Sequence, residues 1–186
     1  MNNRQLGLAG MLGGLAFLAI HLRHLITGVP LGGATIDRPD DALYLIFSLG
    51  ALCIFWGMYR ASITGAGWLR RAAVFVPMLG FALMIVGSLL DLTGLAVPTN
   101  NGPVAVGWLL IMAGTLLVAL LTLFSPVWSG WRKFAPLLCV LLIPPSFLLG
   151  PLATPLGSLP WILLGYAVFS SPESMPVRPA AAEGSV

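Results

Sequence analysis

The sequence predicts an all-α fold: a polytopic membrane helix bundle with six transmembrane helices and both termini in the cytoplasm. Three observations carry that expectation. Only 8% of the 186 residues are charged, 58% are hydrophobic, and the mean hydropathy is +0.97. A soluble domain of this length holds about 25% charged residues. Apolar runs long enough to cross a bilayer recur along the chain, and the basic residues cluster between alternate runs. A soluble bundle would need polar helix faces, and long stretches here have none.

The first span is Leu6–Val29. MNNR before an apolar run mimics a signal peptide, but no small-x-small cleavage site follows and the run continues into HLRH. It therefore reads as a retained span. Ala42–Tyr59, Ala72–Val97 and Val104–Phe124 follow, each close to the roughly 20 apolar residues that a crossing helix needs. The fifth and sixth spans, Phe134–Leu149 and Leu156–Phe169, are shorter. Pro144, Pro145, Pro151, Pro155 and Pro160 lie in and between them, which predicts irregular helices that either cross or re-enter. Residues 1–169 thus form one six-span transmembrane domain. Residues 170–186, SSPESMPVRPAAAEGSV, cannot bury enough apolar surface to fold and predict a disordered cytoplasmic tail.

Orientation follows from charge. With the N-terminus inside, the inner segments hold Arg4, Arg60, Arg70, Arg71, Arg132, Lys133 and Arg178. The outer segments hold only Arg38, beside Asp37, Asp40 and Asp41. The positive-inside rule places both ends in the cytoplasm, and the expected location is the bacterial inner membrane, with the lipid bilayer as partner. Trp56, Tyr59, Trp68, Trp128 and Trp131 then fall near the inner boundary. Tyr44, Trp108 and Trp161 fall near the outer one, as amphipathic rings prefer.

One feature is out of keeping with lipid. The first span carries HLRH near its outer end. Steps of three and four along a helix align Gly10, Gly14, Phe17, His21, His24 and Gly28 on one face. The third span aligns Gly80, Met84, Gly87, Asp91, Gly94 and Pro98. Asp91 is the one acidic residue deep in a predicted span. An unpaired carboxylate there costs roughly 2.5–3.5 kcal/mol or more. The matching depths predict that spans one and three pack glycine face to glycine face. That contact brings His21 or His24 to Asp91, with Arg23 as the competing partner and Tyr44 nearby. Asp40 reads as a helix cap. The plain alternative is that these groups only fix helix packing.

Other chemistries find little support. The basic residues are dispersed, so no nucleic-acid surface forms. Cys53 and Cys139 lack metal or redox spacing, and HLRH is not HExxH, so no metal is assigned. Two histidines one turn apart cannot ligate opposite faces of a haem. No lysine lies within a span to hold retinal, and no cofactor is assigned. The leading expectation is a membrane protein that binds a hydrophobic or amphipathic ligand, or a partner subunit, through an outer-leaflet polar pocket, with a homo-oligomer allowed. A proton-linked transporter using a His–Asp pair is the main alternative, and a membrane-embedded enzyme acting on lipid the third.

Overall fold

A computed structural model of the chain describes residues 1–28, 38–65, 67–95, 102–148 and 154–171. The described residues are all-helical, with no strand. The elements are α1 (Asn3–Thr27), α2 (Arg38–Arg60), the short α3 (Trp68–Ala72), α4 (Phe75–Thr93), α5 (Gly102–Leu123), α6 (Ala135–Leu148) and α7 (Leu159–Phe169). Short 3-10 turns at Gly130–Phe134 and Thr154–Gly157 precede α6 and α7. Four helical stretches are long and apolar enough to cross a membrane: Asn3–Thr27, Pro39–Arg60, Trp68–Thr93 and Val104–Leu123. The predicted tail and the loops at 29–37 and 96–101 lie largely or wholly outside the described residues.

Local sequence explains the ends of α1. Asn2 caps it by accepting the Gln5 N–H at 2.9 Å, and the Gln5 side chain accepts the Asn2 N–H at 3.0 Å. This reciprocal arrangement satisfies two of the amides that a helix start leaves unpaired. Gly28 ends the helix in the left-handed region, where a Cβ would be strained.

The helices form a ring in the order α1, α2, α4, α5, α6, α7, which closes on α1, with α2 also meeting α7. Glycines set the closest approaches. A Cβ on Gly50 would lie 2.7 Å from the Ala9 carbonyl oxygen and 2.7 Å from Gly13 Cα, so α1 and α2 touch backbone to backbone. Gly7 faces Phe169 and Gly14 faces Ile162, both on α7. On α4, Gly80 abuts Gly107 and Ile111 of α5, and Gly87 faces Val104.

These contacts correct the predicted pairing. α1 packs on α2 and α7, and α4 packs on α5 and α2, so the two glycine faces do not meet each other. The fifth and sixth segments form shorter helices than the first four, of 14 and 11 residues. At about 1.5 Å per residue, α7 alone is roughly 16 Å long. It nevertheless runs antiparallel to α1 through much of the bundle, with Phe169 against Gly7 and Ser158 against His21.

The core is aromatic. Trp161 is fully buried between Phe47, Phe55 and Phe81, at ring distances of 5.4, 6.4 and 5.5 Å. Phe17 stacks on Phe47 at 4.2 Å. Leucines point outward from every long helix, for example Leu12, Leu49, Leu79 and Leu109.

Candidate functional site

The last turns of α1 and α4 and the first turns of α2 bring the ionisable groups together at one end of the bundle. Asp40 is the centre. It lies in the first turn of α2, where a carboxylate complements the positive end of the helix dipole. It is 2% exposed. Arg23 donates to its Oδ1, and His24 Nε2 lies 3.1 Å from its Oδ2. One carboxylate thus clamps two consecutive residues of α1 and fixes the α1–α2 contact at this end.

Asp41, also buried, stands beside Asp40 and within electrostatic reach of Asp91 on α4. Tyr44, one turn further along α2, feels both Asp40 and Asp41. Asp91 is half-buried in the last turn of its helix, just before the Gly94 cap. A carboxylate at a helix C-terminus opposes the dipole. Among the described residues, both ion pairs at this end go to Asp40. The charges of Asp41 and Asp91 are therefore not directly matched within that set.

His21 plays a different part. It is 1% exposed, and its Nδ1 lies 2.9 Å from the Phe17 carbonyl oxygen and 2.7 Å from Ser158 Oγ. A carbonyl oxygen only accepts, so Nδ1 must carry the proton and share it between the two oxygens. Ser158 is buried just before α7. The contact ties the start of that helix to α1. It also leaves Nδ1 unable to take the Ser158 proton, which argues against a Ser–His nucleophile at this place.

The structure thus gathers Arg23, His24, Tyr44 and Asp91 at one end, with His21 just below them. It corrects the expected pairing: His24 and Arg23 meet Asp40, not Asp91. Sequence reasoning took Asp40 for a cap and did not single out Ser158. The missed signal for Asp40 was proximity along the chain, because helices joined by a short connection usually pack as neighbours. Among the described residues, no group of three or more His, Cys, Asp or Glu side chains is arranged to hold a metal ion.

No protein-family model, curated protein or solved structure matches this chain. The functional reading therefore rests on the geometry above.

Proposed function

We propose that this is a six-pass protein of the bacterial inner membrane, with both termini cytoplasmic, that binds an amphipathic ligand through the polar end of its bundle. Length and packing support the crossings: four helical stretches have spanning length, and α7 runs beside α1 from His21 to Gly7. Charge supports the orientation, since Arg4, Arg60, Arg70, Arg71, Arg132 and Lys133 all lie near the end opposite Asp40.

The observation that carries the binding reading is the surplus of carboxylate among the described side chains. Arg23 pairs with Asp40 and His24 contacts it, while Asp41 and Asp91 stand near it on two helices. A cationic headgroup would complement the charge of both, with its chain along the lipid-facing helices. Dodecylamine, tested below its micelle-forming concentration on the purified protein, should raise the unfolding temperature saturably. Dodecanol and dodecanoic acid should not, and Asp41→Asn with Asp91→Asn should abolish the difference. An equal response to all three compounds defeats the reading.

Proton-linked transport is a second reading. It draws on the placement of Asp91 against its helix dipole and near a like charge, a cost that packing alone does not require. Uptake driven by a pH gradient and lost in Asp91→Asn would favour it.

A further inference from the structure

The end of the bundle opposite Asp40 has its own surface. The connection from α2 to α4 turns through Ser62 at φ 51° and Gly65 at φ 110°. Buried Thr64 donates its hydroxyl to the Arg70 carbonyl at 2.8 Å, which pins the turn onto α3. The result presents Trp68 and Leu69 at 80% and 67% exposure, next to exposed Arg70 and Arg71.

Aromatic rings surround the same end. Trp56 stacks on Tyr59 at 5.4 Å, Tyr59 packs on Phe75 at 5.0 Å, and Trp131 stacks on Tyr166 at 6.0 Å. The Arg132 Nε is buried and has no hydrogen-bond partner. The carboxylate side chains among the described residues, Asp40, Asp41 and Asp91, all stand at the opposite end. The cations here therefore lack protein counter-ions within the described set. Arg60 donates to the Met1 carbonyl, a neutral acceptor.

We propose that α3 and its basic pair form a binding surface for anionic phospholipid headgroups. Trp68 and Leu69 enter the interfacial layer, and Arg70 and Arg71 meet the lipid phosphates. An indole prefers the headgroup level, and a guanidinium pairs bidentately with phosphate. Charge complementarity selects the occupant: a cationic patch flanked by apolar side chains fits an anionic lipid better than a neutral one. The inference rests on the membrane-spanning reading, and it is independent of the ligand assigned to the polar end.

The test uses the full chain purified in detergent and exposed to equimolar phosphatidylglycerol and phosphatidylcholine, with bound lipid counted by native mass spectrometry. The wild-type protein should retain phosphatidylglycerol about 25-fold over phosphatidylcholine, from two basic residues together. Each basic residue near an anionic surface contributes about fivefold. Arg70→Gln with Arg71→Gln should therefore cut the preference at least fivefold, and so should salt near 1 M, where the Debye length falls to about 3 Å. Leu109→Ala, on an exposed apolar face, should leave it unchanged. Equal retention of the two lipids overturns the proposal, as does a preference that survives the double substitution or is lost equally in Leu109→Ala. A protein that dissolves without detergent and binds neither lipid overturns the membrane reading itself.

Discussion

Asp40 is the residue whose removal tests the architecture of the polar end most directly. Asp40→Asn keeps the shape and one acceptor but removes the charge that Arg23 and His24 share. In soluble proteins, breaking a buried ion pair by deleting one partner costs about 3–5 kcal/mol. Two features of this site lower that figure. The Arg23 side chain is 34% exposed, so water screens its share, and pairs of that kind are worth about 1 kcal/mol or less. The His24 side chain is 13% exposed at 3.1 Å, which makes its contact the better sheltered of the two. Polar contacts between membrane helices measure about 0.6 kcal/mol on average and 1.7 at most. The two contacts together then place the loss for Asp40→Asn at about 2 kcal/mol.

Double-mutant cycles in detergent, read by reversible unfolding, separate the terms. Asp40→Asn with His24→Asn should show a coupling of about 1 kcal/mol, and Asp40→Asn with Arg23→Gln slightly less. Asp91→Asn with His24→Asn should be additive to within about 0.5 kcal/mol, as for residues that share no contact. A His24–Asp91 coupling as large as that of His24 with Asp40 refutes the placement of the imidazole and restores the pairing expected from sequence.

Two further outcomes follow from the packing. Gly50→Val should destabilise the protein by about 3 kcal/mol or more, because backbone atoms of α1 at 2.7 Å cannot yield as a side chain could. Gly94→Ala, with open space around its Cβ and φ 71°, should cost only about 1 kcal/mol, and comparing unfolding midpoints of the two variants checks the order. Ser158→Ala should cost about 1 kcal/mol by removing the Oγ–His21 contact. A fluorophosphonate probe should leave Ser158 unlabelled by mass spectrometry, since Nδ1 of His21 donates rather than accepts.

Helix positions were legible because hydropathy is a local property. Val104–Phe124 was expected and Gly102–Leu123 is found, and Leu6–Val29 compares with Asn3–Thr27. The partner of each helix was not legible in the same way. α1 carries Gly7, Gly10, Gly13 and Gly14, and these do not form a single stripe: Gly13 faces Gly50 on α2, while Gly7 and Gly14 face α7. A glycine face says that something approaches closely, not which helix does so. Depth along a helix is ambiguous for the same reason. His24 is level with Asp91, but Asp40 stands at that level too, and His24 contacts Asp40, which is nearer along the chain. An acidic residue at a helix start has an ordinary explanation in capping, which masks any further role for Asp40. The structure shows that such a residue can complement its own helix dipole and clamp a neighbouring helix at once.

The aromatic layer beneath the carboxylates bears on what the polar end does. Phe17 of α1 stacks on Phe47 of α2 at 4.2 Å and approaches Trp108 of α5 at 6.3 Å, while Phe47 meets Trp161 of α7 at 5.4 Å. Four helices thus contribute rings to one layer directly below His24 and Asp41. A solute moving from the carboxylates toward the basic end would have to part that layer. Each ring pair contributes about 0.5–1.5 kcal/mol beyond the area it buries, and the contacts share members, so they would open together. Asp40 holds α1 against α2 above the layer, and Gly13 with Gly50 holds them backbone to backbone below it. Under the proposed binding function, such a braced layer suits a site entered and left from one end, with Asp41 and Asp91 releasing the headgroup to the side it came from. The closed packing of this layer is the feature that favours the proposed binding over proton-linked transport at this end.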